Sequence, residues 1–193
     1  MRRSALRDNL LRILRTEISY AAADLPSPPA TFSSFSIDAR PGENWFRLTR
    51  SYRSETLKID ATTVDGAAPS TRSPSADDSA SSGDGRLHIS VIVEVSKGED
   101  SDLVLQFVCS AWPDAMDVEK VFTVRKGAAK AAMPFMGPDF GELDEELQRA
   151  VRDYLEERGV NDELAEFLHG YVEGKDRGEL VRWLKNIEAC VKK

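Results

Sequence analysis

Apolar residues recur at helical spacing at both ends of this 193-residue chain, and they alternate with polar residues in between. Near the N-terminus, Leu6, Leu10, Ile13 and Leu14 fall three or four residues apart. This spacing predicts an amphipathic helix over about residues 4–22, because the prolines of the following "DLPSPPA" cannot continue it.

The last third of the chain repeats the helical pattern. Leu143, Leu147, Val151, Tyr154 and Leu155 predict one helix. Gly159 is the expected stop after it, and Asn161 is the expected N-cap of a second helix. We expect this second helix to bend around "GKDRG" before its apolar stripe resumes at Leu180.

Between the helices, extended segments alternate apolar and polar residues, which is the period of a half-buried strand. The candidate strands are "TFSSFSIDA", "NWFRLTRSYR", "ETLKIDATTV", "LHISVIVEVS", "DLVLQFVCSAW", "VEKVFTVRK" and, at the edge, "AAMPFM". Short connections such as "PDAMD" suit antiparallel hairpins. The order of elements predicts an α+β fold with a seven-stranded antiparallel sheet and its helices on one side.

Residues 66–86 contain no apolar residue larger than alanine. Such a segment buries too little to offset the entropy of ordering it, so we expect a mobile loop inside a single domain of residues 1–193.

The net charge of -7 and the sequence pI of about 5.0 argue against direct nucleic-acid binding, which needs clustered Lys and Arg. No apolar run reaches the roughly 20 residues that a membrane span requires. The two cysteines form no disulfide scaffold, and Cys109, within an apolar run, is expected to be a buried packing residue.

Catalytic motifs are missing from the sequence. His88 and His169 have no cysteine or carboxylate at zinc-ligand spacing, and no nucleophile elbow, phosphate-binding loop or dinucleotide fingerprint occurs. We therefore expect no catalytic residue, metal or cofactor. The enzymatic alternative is a metal-assisted hydrolase that uses Asp114 and Asp117 or the acids of residues 141–168.

Residues 141–168 carry ten carboxylates and three arginines. These acids lie off the apolar stripe or at its margin, so the sequence favours an outward acidic layer over buried acid–base chemistry. These acids could simply be the solvated face of the helices. However, a solvated helix usually interleaves charges of both signs, so the excess of acids favours the alternative, a layer that attracts basic partners. The candidate partner-binding residues are Glu142, Glu145, Glu146, Asp153, Glu156, Glu157, Asp162, Glu163 and Glu166.

The same residues resemble a known family. "GPDFGELDEELQRAVRDYLEERGV" and "FLHGYVEGKDRGELVRWLKNIEACVKK" closely resemble the C-terminus of the mitochondrial glycoprotein family, the mitochondrial matrix acidic proteins. Their animal member is also described as a complement globular-head receptor and a splicing-factor-associated protein. "NLLRILRTEISY" and "RPGENWFRL" are similar to the plant branch, and the likeness covers the chain except residues 66–86.

The resemblance implies a strongly twisted seven-stranded sheet with one N-terminal and two C-terminal helices. It also implies a ring-shaped homotrimer held by helix contacts, with Leu10, Leu14, Trp183 and Leu184 as candidate interface residues. The family has no established catalytic activity. It is associated with mitochondrial translation, oxidative phosphorylation and chaperone-like binding of basic proteins such as ribosomal or RNA-binding proteins.

The resemblance places the protein in the mitochondrial matrix. No long presequence precedes "MRRSALRDNLLRILR", so the sequence begins near the mature end or belongs to a nuclear or cytosolic member. The alternative to a binding protein is an architectural subunit of a larger complex.

Overall fold

The computed structural model describes residues 2–23, 25, 27–63, 66–67, 87–98, 101–127 and 134–192. The helices are α1 (Arg2–Ala22), α2 (Glu145–Glu156) and α3 (Asp162–Lys192), with a short 3₁₀ turn at Phe140–Glu142. The strands are β1 (Thr31–Phe32), β2 (Phe35–Asp38), β3 (Trp45–Tyr52), β4 (Glu55–Thr62), β5 (Gly66–Ala67), β6 (Leu87–Lys97), β7 (Leu103–Trp112) and β8 (Ala115–Arg125).

Seven of these strands form one antiparallel path in the order β1-β2-β3-β4-β6-β7-β8, and β5 pairs with the start of β6. The alternation in the sequence decides which side of the sheet is buried. A single row of apolar residues crosses five strands through direct register pairs. Its members are Leu48, Ile59, Val93, Phe107 and Val121, of which the first four are at most 1% exposed. The core of the sheet lies on this face.

The main path of the sheet has the expected seven strands, but the segments that form them differ from the expected ones at one edge. The segment "TFSSFSIDA" forms two strands, β1 and β2, because the chain turns at Ser33, whose φ is 50°. The expected edge strand at 131–136 is wrong for residues 134–136, which are irregular; residues 131–133 lie outside the described part.

The expected loop at 66–86 is corrected at its start, because Gly66 and Ala67 pair with His88 and Leu87 of β6. Residues 68–86 lie outside the described part of the chain, so the prediction of a mobile loop is untested there.

The chain divides into two compact units, one of residues 1–29 and 170–193 and the other of residues 30–169. In the first unit, Arg15 of α1 donates to Glu188 of α3 at 2.9 Å. The segment where we expected a bend is helical throughout. Ion pairs one turn apart support the helix there, since Lys175 lies 3.3 Å from Glu179 and Arg177 pairs with Glu173.

Both cysteines are free thiols, and they differ in burial. Cys109 is 1% exposed, and burial, aided by the charges of Glu119 and Asp117, raises its pKa to about 12. Cys190 is exposed. Because only a thiolate reacts rapidly, we expect a thiol reagent at pH 8 to modify one cysteine per native chain and two after denaturation. Cys190→Ser should leave no reactive thiol in the native protein, and two reactive native thiols would contradict the burial of Cys109.

Candidate protein-binding surface

The acidic helix α2 begins at a side-chain cap. The carboxylate of Asp144 accepts from the backbone N–H of Glu146 at 2.9 Å, which satisfies one of the unpaired donors of the first turn. The side-chain amide of Gln148 donates to the carbonyl oxygens of Gly141 and Leu143 at 3.2 and 2.8 Å. These bonds fix where α2 starts and how the preceding chain enters it.

A buried ion pair holds the C-terminal end of α2 on the sheet. Nε of Arg158 donates to Oε2 of Glu55 on β4 at 2.8 Å, and the two residues are 6% and 7% exposed. The guanidinium also donates to the carbonyl oxygen of Tyr154 and lies 3.3 Å from the centre of that ring. Burial lowers the pKa of Arg158, but the bond to Glu55 and the neighbouring charges outweigh it, so the pKa is raised overall.

Gly159 follows Arg158 and ends the turn after α2. Its φ of 78° is the left-handed conformation that ends many helices, so the predicted stop is confirmed. A Cβ at this position would lie 2.6 Å from Nη1 of Arg50, which donates to the carbonyl oxygen of Arg158 at 2.8 Å. Glycine is therefore required both by the backbone conformation and by the close approach of Arg50.

The start of α3 is bonded to the β7–β8 hairpin. The predicted N-cap is confirmed, because Oδ1 of Asn161 accepts from the N–H of Leu164 at 3.1 Å. Asp162 accepts from the N–H of Met116 at 2.8 Å, and Nε2 of His169 lies 2.9 Å from the carbonyl oxygen of Ala111. Asp162 thus has a structural bond in addition to its place in the predicted acidic layer.

The exposure of the acidic layer agrees with the sequence prediction. All nine candidate residues are exposed: Glu142, Glu145, Glu146, Asp153, Glu156, Glu157, Asp162, Glu163 and Glu166. The seven-charge excess of acids over arginines in residues 141–168 equals the net charge of the whole chain, so the remaining residues are balanced. Residues 141–168 therefore account for the net charge of the chain, and the role of the acidic layer in binding stays a prediction.

The predicted apolar stripe of α2 is only partly buried. Leu155 is 2% exposed, whereas Leu147 is 49% exposed and Val151 and Tyr154 are half-buried. The expected place of Leu143 in this helix is wrong, because Leu143 is extended and α2 begins at Glu145 after its cap at Asp144. Helical spacing located the apolar side of α2 correctly but did not show that this side is incompletely covered.

The four candidate interface residues differ in exposure. Leu14 and Leu184 are 7% and 8% exposed, so they are already buried within one chain. Leu10 and Trp183 are 43% and 57% exposed and still offer apolar area to another molecule. The assignment of all four to a subunit interface stays a prediction.

Each histidine contacts a residue of the sheet. The ring centres of His88 and Trp112 are 5.0 Å apart, and His169 has the contact described above. Within the described residues, no three His, Cys, Asp or Glu side chains are grouped as a metal site, and no helix is long and apolar enough to cross a membrane.

Comparison with known proteins places the chain in a family. The family profile described as mitochondrial glycoprotein matches residues 14–191. The chain belongs to the mitochondrial glycoprotein family. This match confirms the resemblance that the acidic C-terminal segment indicated.

Two relatives carry mitochondrial names. An uncharacterised mitochondrial protein of Arabidopsis thaliana is 30% identical over 186 residues, covering 93% of this chain and 72% of that protein. The mitochondrial acidic protein mam33 of Schizosaccharomyces pombe is 29% identical over 110 residues, covering 52% of this chain and 40% of that protein.

Solved structures confirm the fold. The Trypanosoma brucei p22 protein has a TM-score of 0.77 at 22% identity and covers 97% of this chain and 99% of its own. A Leishmania major protein of unknown function, described as a sequence homologue of human p32, has a TM-score of 0.72 at 19% identity, with coverage of 96% and 98%.

Proposed function

We propose that this protein is a non-enzymatic acidic scaffold of the mitochondrial matrix that binds basic proteins and thereby supports mitochondrial translation and oxidative phosphorylation. One observation carries the proposal: the net charge of the chain equals the charge excess of residues 141–168, and the nine candidate acids of that segment are exposed. Family membership and the mitochondrial names of the relatives support the compartment. Ribosomal and RNA-binding proteins are basic partners of the expected kind.

The assembly that we propose is a homotrimer. On α1, Leu11 and Leu14 are buried, whereas Leu6, Leu10 and Ile13 form a second apolar side that is 42–70% exposed. On α3, Leu180 and Trp183 are 48% and 57% exposed. Exposed apolar area on two long helices is typical of a protein–protein interface, which supports the proposal that other copies of the chain cover it.

The mechanism that follows combines electrostatic attraction with multiple copies. The acidic layer attracts a basic protein over a distance set by the Debye length, about 10 Å at 0.1 M salt. Three copies of the layer on one assembly let individually weak contacts act together, so that overall affinity exceeds that of any single layer.

Light scattering on a sizing column tests the assembly. We expect a mass near three times 21.4 kDa at micromolar concentration. A monomeric mass would contradict both the trimer and the gain in affinity from multiple copies.

Salt dependence tests the binding mode. We expect the affinity for a basic protein such as cytochrome c or a basic ribosomal protein to fall at least about tenfold between 0.05 and 0.3 M NaCl, because salt screens exposed charges. Neutralising Glu145, Glu146, Asp153 and Glu156 to their amides should weaken binding at low salt and flatten this dependence. Binding that is unchanged at high salt would count against the proposal.

A further inference from the structure

Helix α2 has an apolar side that the chain itself does not fully cover. Leu155 is the one α2 residue that is buried. Leu147, one of the central residues of the predicted stripe, is 49% exposed, and Val151 and Tyr154 on the same side are half-buried. An apolar strip therefore remains open to solvent along this helix.

Acidic residues border the open strip. At about 100° per residue, Leu147, Val151 and Tyr154 of α2 point in similar directions, and Glu146 and Asp153 lie along one margin. Both carboxylates are exposed, and neither forms an ion pair within the described residues. The margin thus presents negative charge directly beside exposed apolar surface.

The arginines of α2 lie away from this strip. Arg149 and Arg152 fall roughly on the opposite side of the helix by the same spacing. Arg152 donates to Gln148 at 3.1 Å and lies 5.3 Å from the ring centre of Phe140. Arg149 is three residues from Glu146 and four from Asp153, so the margin carries two carboxylates beside one guanidinium and keeps an excess of negative charge.

We propose that this side of α2 is a docking site for a cationic amphipathic helix. Leucine-like residues of the partner would pack on Leu147 and its half-buried neighbours, and lysines or arginines beside them would face Glu146 and Asp153. Helices of this kind bind apolar grooves through residues spaced three and four apart. The inference rests on the proposed binding of basic proteins and adds that the partner segment is helical and has an apolar anchor.

A second copy of the chain is the competing occupant. Its α1 contains five arginines and two acids between Arg2 and Ala22, and it has an exposed apolar side. The docking of a separate partner requires that the α2 strip stay open in the assembled protein. The oligomeric mass in solution of a variant with Leu147 replaced therefore distinguishes a second copy from a separate partner.

The test uses two fluorescent peptides of identical Lys and Leu composition, about 18 residues long. In one peptide the leucines follow helical spacing, and in the other the order is scrambled so that no apolar side forms. Anisotropy titrations of the full protein in 0.15 M NaCl should give at least fivefold tighter binding of the amphipathic peptide, which is the effect of burying about half a leucine side chain.

Matched variants localise the effect. Leu147→Ser should lower the affinity for the amphipathic peptide about fivefold and leave the affinity for the scrambled peptide unchanged. Leu103→Ser is the control, because Leu103 is similarly exposed at 52% but belongs to β7. Glu146→Gln with Asp153→Asn should weaken amphipathic binding more than the same loss of charge at Glu145 and Glu156 on the far side of α2.

Each outcome decides between the hypotheses. Equal affinity for the two peptides, with the salt dependence intact, would overturn the helix-docking site and leave the acidic scaffold standing. Failure of both peptides and of basic proteins to bind would overturn the scaffold as well. A loss of trimer mass in Leu147→Ser, with Leu103→Ser unaffected, would assign the strip to a second copy and overturn the docking of a separate partner.

Discussion

Replacing Glu55 with glutamine is expected to lower the free energy of unfolding by about 3 kcal/mol. The change leaves the guanidinium of Arg158, which is 6% exposed, without the carboxylate that it bonds at 2.8 Å. The carboxylate also lies 3.5 Å from the hydroxyl of Tyr154 and 3.8 Å from Nζ of Lys97. An unpaired charge at a buried position costs far more than the loss of a surface ion pair, because water cannot replace the partner.

Urea denaturation at one fixed protein concentration measures this effect, since the stability of an oligomer depends on concentration. Asp60→Asn is the matched control, because it makes the same acid-to-amide change in the Arg47–Asp60 pair, whose side chains are 38% and 37% exposed. We expect that control to cost less than about 1 kcal/mol. Equal losses in the two variants would contradict the importance of the buried pair.

A double-mutant cycle separates the pair from its surroundings. Arg158→Met alone leaves the carboxylate of Glu55 buried and unpaired, whereas Glu55→Gln with Arg158→Met leaves no buried charge. We therefore expect the double variant to be more stable than the sum of the single losses predicts, by at least about 1 kcal/mol.

The combination of Leu10→Glu and Trp183→Glu is expected to convert the proposed trimer into single chains. These positions are 43% and 57% exposed in the single chain, so a glutamate is tolerated there when the chain is alone. In an interface between copies, the same carboxylates would be buried without partners, which costs free energy. Because every copy carries both substitutions, this cost recurs in each copy of the assembly.

Light scattering and circular dichroism together measure this result. The control is Leu103→Glu, at a residue of similar exposure on β7, which should keep both the trimeric mass and the helical signal. A double variant that remains trimeric would show that the proposed interface lies elsewhere. Retained helical content in a monomeric variant would exclude general unfolding as the cause.

The sequence is informative about the elements because their apolar periods are strong. The alternation of β6 and β7 and the stripes of α2 and α3 predicted the central strands and the C-terminal helices in their observed order. The division of "TFSSFSIDA" was missed because its turn at Ser33 contains neither glycine nor proline. A bend of α3 was expected at "GKDRG" because of its two glycines, and the helix continues through this segment, where ion pairs one turn apart stabilise it.

The exposure of the acidic residues could be predicted, because a charge off the apolar stripe of a helix usually faces water. The pairing of Glu55 with Arg158 could not be predicted, since the two residues are 103 positions apart and a single sequence carries no signal that joins them. Nor could the exposed half of Leu147 be predicted, because spacing defines the apolar side of a helix but not how much of it the rest of the chain covers.

The placement of the net charge has a consequence for the proposed ring of three copies. Each copy carries its excess charge in residues 141–168, while its other residues are balanced. Threefold symmetry cancels the components of the three electric dipoles that lie perpendicular to the axis, and it adds the components that lie along it. A basic protein approaching from a distance would therefore be oriented along the symmetry axis before it contacts any single copy.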